Sequence, residues 1–457
     1  MLNELFKNRM KALLSCEYGA FISEIEENDA VSGVRINKIK APSIDGDTYS
    51  ELGLIPLPYA EDGYILSKRE GIGLSPYHHA GVFYVQDPGA MATVSALDIR
   101  EDFKICDTCS APGGKSGQAG AKINEHGFLL SNEFVPKRAK TVVSNFERLG
   151  IRRAMVTSLD TGELPKMFSA FFDLVIADVP CSGEGMFRKN EAAISGWSEE
   201  NVISSAKRQE YIINNAAPLV KAGGYLLYST CTYSLEENEM IIDAFLDTHK
   251  DFELTDVREE LQEVTSPGIA FSGIKCRGIE KCRRFYPHVS RGEGQFIALM
   301  RRSHDAPPPK ILYKDSSERL TKEESLAVET FFKKNLMKAP EGKLIKVNGN
   351  IVISEHGIPI PKRSVFSSGV LVGEVSKGNL FPSHQFFSAY GKLFIRQENL
   401  TRCDERVEKY LRGEEIPARE AMDGGYSAVF YMGAPLGGGK VSSGVIKNHY
   451  PKGLRNK

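Results

Sequence analysis

The stretch KICDTCSAPGGKS (104–116) carries the reading of the fold. A short apolar run closes on Asp107. A loop of small residues follows, and the pattern then turns helical. That is how a buried parallel strand hands over to a helix at the carboxyl end of an open α/β sheet, where such sheets bind ligands. Small residues there let the backbone approach a ligand, and the helix N-terminus offers N–H donors. GGKS resembles the end of a phosphate-gripping loop, but that loop needs glycine five residues before Gly114, where Cys109 stands. A dinucleotide GxGxxG is also missing. The expected ligand is nucleotide-like and held without a phosphate grip.

Outward from this stretch the rhythm repeats. HGFLLSNE, RAMVTSLD, FFDLVIADVP and GGYLLYSTC are apolar runs ending in small or acidic residues. Helical patterns such as VPKRAKTVVSNFERLG separate them. Strands alternating with helices predict βαβ units and a mostly parallel sheet over 76–303. Residues 1–75 read as a small α+β domain opening on an amphipathic helix. The prolines of HDAPPPK mark a linker at 304–311, since they stop helix and strand alike. Residues 312–457, with many glycines and short strands, predict one or two small modules.

Acidic residues fall at successive strand ends: Glu133, Asp160 and Asp178. Glu133 lies about twenty residues beyond Gly113, as the ribose-binding acid does in dinucleotide folds. Asp160 is then expected to accept from an adenine amino group. Two further loops carry thiols, DVPCSGEG (178–185) and YSTCTYS (228–234). Ser234 with Glu237 predicts a capping box for a helix starting near Leu235.

The chain has 457 residues, 41% hydrophobic and 26% charged, with a net charge of −1 and eight cysteines. No apolar run has the length of a membrane span, and no signal-peptide core is present. A cytoplasmic, monomeric protein with reduced cysteines is the expectation. The pair Cys106 and Cys109 lacks a second pair, so no metal site is expected. Charge is uneven: residues 304–457 hold 24 Lys and Arg against 17 Asp and Glu. After Asp423 stand Lys440, Lys447, Lys452, Arg455 and Lys457 with no acid, interleaved with Tyr431, His449 and Tyr450. That pattern suits a phosphate backbone. The run Lys281, Arg283, Arg284, Arg291, Arg301 and Arg302 is expected to extend the same track.

Taken together, DTCSAPGGKS, DVPCSGEGMFRK and GGYLLYSTCTYSLEENE resemble the Nol–Nop–Sun family of RNA cytosine-C5 methyltransferases. VRINKIK resembles that family's R-x-N-x-x-K element, YHHAGVFYVQDPGAMA its pre-core motif and RFYPHVSRGEGQFIALMRR its last core motif. The C-terminal stretches SGVLVGEVSKGNLFPSHQF and GAPLGGGKVSSGVIKNHYPKGLR resemble the bacterial RsmF type, which acts on 16S ribosomal RNA. Ser110 departs from the usual alanine, and Asp87-Pro88 stands where a Glu is common.

The resemblance implies a Rossmann-like methyltransferase core, a small N-terminal α+β domain and C-terminal PUA-like RNA-binding modules. It implies S-adenosylmethionine as cofactor and the decoding region of the small ribosomal subunit as partner, with no membrane involvement. Cys231 would be the nucleophile, Cys181 would assist product release, and Asp178 would bond the cytosine N3/N4 edge. Cys109, Ser110, Ala111, Pro112, Gly113, Gly114 and Lys115 would cradle the cofactor, with Glu133, Arg138, Asp160 and Asp178. Pro180 would face the substrate. A DNA-type arrangement would instead make Cys181 the nucleophile. Transfer RNA or another RNA as substrate, or a non-catalytic RNA-binding or assembly factor, remain the other readings.

Overall fold

The computed structural model describes residues 2–41, 46–67, 71–419 and 424–456. Lys457, counted above in the basic tail, lies outside them. The centre is a ten-stranded sheet. Its parallel part comprises β5 (Lys104–Asp107), β6 (Phe128–Asn132), β7 (Ala154–Thr157), β8 (Phe172–Asp178) and β9 (Val220–Thr230). The N-terminal part supplies β1 (Gly33–Ile36), β2 (Leu54–Leu57), β3 (Ala60–Leu66) and β4 (Phe83–Val85), an antiparallel sheet ordered β2-β3-β1-β4. Beyond β9 come β10 (Arg283–Phe285), β11 (Gln295–Arg302) and β12 (Val365–Ser368). The central order runs β10-β11-β9-β8-β5-β6-β7-β12, with a short strand beyond β10 and another beside β11. Order reverses between β5 and β8, so the crevice for ligands lies outside their carboxyl ends.

The β5, β6 and β8 runs are buried along nearly their whole length, as strands covered on both faces must be. Alternate residues separate into two cores. Ile105, Leu129, Val156, Ile176 and Leu227 pack with Ala119, Val142 and Phe146. The last three lie on helices α3 (Gly114–Lys122) and α4 (Pro136–Leu149). On the other face Cys106, Leu130, Val175, Leu226 and Tyr228 pack with Ile212, Ile213, Ile242 and Phe245. These come from α5 (Glu199–Ala216) and α6 (Glu239–Thr248).

The flanking parts are joined tightly to this core. Val34, Ile36, Tyr77 and Phe83 share one apolar cluster with Leu400, Val429, Tyr431, Leu436 and Tyr450. The R-x-N-x-x-K residues are buried at this junction. Arg35 donates to Gln86 Oε1, Asn37 to the carbonyls of Gly81 and Leu149, and the Lys40 ammonium to Ser388 and the Pro435 carbonyl. Burial, with Arg148 and Lys392 nearby, pushes Lys40 well below the ordinary lysine range. The strand β12 pairs antiparallel with β7, so residues from beyond 312 complete the central sheet. Lys310–Ile311, inside the Pro-rich stretch, pairs with Phe168–Ser169.

Several expectations need correction. Tyr431 and Tyr450 are core residues, 4% and 2% exposed, because the C-terminal sheet needs their rings against the N-terminal sheet. They do not interleave with lysines on a surface. Arg284 is buried in an ion pair with Glu239, and Arg302 pairs with Asp251 while donating to the Val220 carbonyl. Arg283 donates to Thr265 and the Gln262 carbonyl. Of the expected phosphate track, Arg291 and Arg301 are exposed. Among the described residues no helix is long and apolar enough to cross a membrane, and no group of three or more His, Cys, Asp and Glu side chains could hold a metal.

Candidate active site

A cavity of about 680 Å³ opens at the carboxyl ends of β5 to β9. Its wall brings together most of the residues singled out above: Cys109, Ala111, Glu133, Arg138, Asp160, Asp178, Pro180, Cys181 and Cys231. Ser110, Pro112, Gly113, Gly114 and Lys115 are not among the residues that line it. Gly113 caps α3 at φ +106°, a conformation that favours glycine. Lys115 reaches the site through Asp178, at 2.9 Å.

The cysteine pair sits at the inner end. Sγ of Cys181 and Sγ of Cys231 are 3.2 Å apart, and both cysteines are free. The strands β8 and β9 are adjacent and parallel, with Ser229 opposite Asp178, so their exit loops run side by side. Asp178 accepts from the Ser229 hydroxyl at 2.7 Å through one oxygen and faces Lys115 through the other. Burial disfavours the Lys115 charge, but Asp178 and Cys231 outweigh it and hold the ammonium above its ordinary value. Contact with Cys231, then burial, pushes the Cys181 thiol well up. The Asp107 carboxyl lies beneath, bonded to the Ser116 hydroxyl. Burial pushes it up to about 7, against that hydrogen bond.

Glu184 was not singled out from the sequence, yet it ties the two loops together. Its carboxylate accepts from Thr232 Oγ1 and the Tyr233 amide at 2.8 Å each, and from Ser234 Oγ and Trp197 Nε1 at 2.9 Å each. The Gly185 amide adds a bond to the Cys231 carbonyl at 2.8 Å. A side chain at Gly185 would strike the Gly294 carbonyl and crowd the Cys231 carbonyl, so the backbone of this loop lies against both. Glu237 accepts from the Ser182 amide and from Gln209. The expected capping box is therefore not made. Ser234 serves Glu184, Glu237 serves the Cys181 loop, and α6 starts only at Glu239. Behind the loops, Phe21 packs edge-on against Tyr233 at 5.1 Å between ring centres. Phe21 belongs to the helix Tyr18–Glu27, and Phe6 on Glu4–Leu14 meets Trp197.

The outer end of the cavity is different. Glu133 follows β6 directly. It accepts from the Ala111 and Val135 amides and faces Arg138 at 3.6 Å. Asp160 lies three residues past the end of β7, caps a short 3-10 turn through the Gly162 amide, and accepts from the Tyr211 hydroxyl at 2.6 Å. Phe134, Val135 and Ile212 supply apolar wall, and Arg208 stands at the rim. Sequence reading missed Tyr211 and Phe134. Phe134 directly follows the acidic strand end Glu133 in the sequence, whereas Tyr211 lies within α5 and meets Asp160 only in the fold.

Comparison with known proteins agrees with this architecture. Residues 94–301 match the model of the family described as 16S rRNA methyltransferase RsmB/F. Residues 2–88 match the N-terminal domain of 16S rRNA methyltransferase RsmF, and residues 398–456 the methyltransferase RsmF PUA domain. Ribosomal RNA small subunit methyltransferase F of Vibrio campbellii is 29% identical over 417 residues, 88% of this chain and 86% of the relative. The protein of that name from Vibrio vulnificus is 29% identical over 474 residues, covering 99% and 97%. A methyltransferase homolog protein from Pyrococcus horikoshii superposes with a TM-score of 0.57 at 25% identity, covering 66% of this chain and 95% of that one. NSun6 from the same organism gives 0.55 at 19% identity, over 65% and 98%, a likeness of fold. Three models of one family thus follow one another along the chain in order, and the chain belongs to the RsmF-type 16S rRNA methyltransferases.

Proposed function

We propose that the chain methylates carbon 5 of a cytosine in 16S ribosomal RNA, with Cys231 as nucleophile and S-adenosylmethionine as methyl donor. One observation carries the reading: two free thiols 3.2 Å apart at adjacent strand ends, in the same cavity as Glu133 and Asp160. The donor set fits an adenosyl group. A carboxylate with free lone pairs suits ribose hydroxyls, and apolar walls suit an adenine. Glu133 would hold the ribose and Asp160 the adenine edge, with residues 109–115 around the remainder. When bound, the cofactor supplies an electrophilic methyl on a sulfonium.

The chain's residues supply the rest. Cytosine C5 is a poor nucleophile until a thiolate adds at C6. Cys231 would form that bond, breaking the C5–C6 double bond and moving its electron pair toward C5. Asp178 would bond the N3/N4 edge and steady the charge on the ring. After the methyl is transferred, the proton on C5 must leave and the Cys231–C6 bond must break, restoring the double bond. Cys181 is within reach of both events. Its thiol is pushed up, so it holds its proton at neutral pH. Either thiol reacts as its thiolate, and it is the resemblance of the Ser229-Thr230-Cys231 loop to the RNA-type arrangement that assigns the nucleophile to Cys231. The target base must leave its stack to enter the cavity.

The test is transfer of labelled methyl to small subunits and naked 16S RNA from cells lacking the gene. Wild type should yield 5-methylcytosine. Cys231→Ala should lose it by about 10³-fold or more, and Cys181→Ala should leave an RNA-linked protein band on denaturing gels. A Cys231→Ala protein that still methylates overturns the assignment, and labelling of transfer RNA alone moves the substrate.

A further inference from the structure

The strand β12 comes from the C-terminal half of the chain but forms the edge of the catalytic sheet. It runs antiparallel to β7, so the residues preceding it emerge at the same end of the sheet as the cavity. The Ser158 amide donates to the Ser364 carbonyl at 2.9 Å, and the Ser158 hydroxyl donates to the Phe134 carbonyl at 3.1 Å. The loop holding Lys362 and Arg363 is thereby moored to the cavity rim. On the other side of the seam, α4 packs against β12. Lys137 and Lys140 lie three residues apart in its first turns, on one side of the helix. All four cations are exposed, and none pairs with a carboxylate among the described residues. The nearest rim acids are already engaged, Glu133 by backbone amides and Arg138, Asp160 by Tyr211. Phe366 stands on the edge strand, 36% exposed.

From this we infer that the seam between α4 and β12 is a docking surface for the RNA backbone flanking the target cytosine. The inference rests on the proposed function and deepens it. Four unpaired cations on one rim repel one another unless an anion meets them. A polyanion threading toward the cavity meets both halves of the chain there. The exposed Phe366 offers a base a stacking face. The C-terminal half then acts on the substrate through this seam as well as through its last module, whose exposed Lys440 and Lys447 sit directly opposite each other on neighbouring strands.

The test is retention of naked 16S RNA and of small subunits by the full-length protein without cofactor, across a salt series. Lys362→Glu/Arg363→Glu and Lys137→Glu/Lys140→Glu are compared with wild type and with Lys440→Glu/Lys447→Glu. Each seam double variant should weaken binding to naked RNA by at least about tenfold and flatten the salt slope by about 1.4 to 1.8. Cofactor binding and the melting temperature should stay as in wild type, and Lys362→Arg should bind normally. Wild-type affinity and slope in both seam variants overturn the inference, as does failure of the wild type to bind naked RNA. Loss confined to whole subunits overturns it too, since the partner is then ribosomal protein. The assay needs no methyl transfer: binding lost in the variants with no activity in the wild type leaves the surface standing and removes the enzyme reading. Methylation with unaltered binding does the reverse.

Discussion

The two ends of the cavity are built on opposite terms. Around the thiols, Glu184, Thr232 and Glu237 are 1%, 1% and 0% exposed, and the Glu184 carboxylate meets four donors. At the other end Phe134 is 65% exposed and the Arg138 side chain 55%. Both ends hang from one sheet. The contrast follows from what each must do. On the proposed chemistry the thiols need fixed separation, and a buried polar network centred on the Glu184 carboxylate fixes position. The cofactor proposed for the outer end would be exchanged every turnover, which an open wall allows.

The contrast can be broken at several points. Glu184→Ala is expected to have the largest effect. It strands three donors of the Cys231 loop and the Trp197 indole, each costing about 1–3 kcal/mol when left unpaired, and it lets the thiols drift. Methyl transfer should fall about 10²-fold in kcat, with cofactor affinity unchanged. A lowered melting temperature with normal kcat makes the network mere scaffold. Glu133→Gln probes the open end. Weakening a hydrogen bond to a charged group should raise the cofactor Kd about tenfold, with a small fall in the melting temperature without cofactor, because each carboxylate oxygen also accepts a backbone amide. An unchanged Kd, read by calorimetry, removes Glu133 from the cofactor site.

The smallest effect concerns Asp107, between the two ends. Its folded-state carboxyl titrates at about 7, above the unfolded value near 3.8. The folded protein therefore keeps a proton that the unfolded chain has released, and this contribution to stability is lost as pH rises toward 7. Asp107→Asn should gain a few degrees of melting temperature relative to wild type between about pH 5 and 7, with the difference constant above that. Parallel melting curves across the range would show that burial does not hold the proton.

Much of this was legible in the residues. Strands buried on both faces read as unbroken apolar runs, and acids or thiols closing those runs had to lie at ligand-binding ends. Side-chain commitments made by tertiary contact were not legible. Ser234-x-x-Glu237 has the form of a helix cap, but the buried loops around Glu184 and Ser182 compete for both side chains and win. Tyr431 and Tyr450 sit among glycines and lysines, which suggested a surface. Their burial depends on a sheet nearly four hundred residues earlier. Arg35, Asn37 and Lys40 were recognisable as a motif, yet nothing local says that their partners are the Gln86 side chain and the carbonyls of Gly81, Leu149, Ser388 and Pro435.

That last junction bears on the order in which the molecule can be made. A ribosome that has released residues 33–85 has exposed Val34, Ile36, Tyr77 and Phe83. Their cover from Val429, Leu436 and Tyr450 is still to be translated. Lys40, likewise, has its acceptors at Ser388 and Pro435. At about 5–20 residues per second the gap is tens of seconds, in which the apolar face of the first sheet lacks its native cover. Synthesis of this enzyme therefore has a built-in waiting period, and its length is set by the number of codons between the two halves of one core.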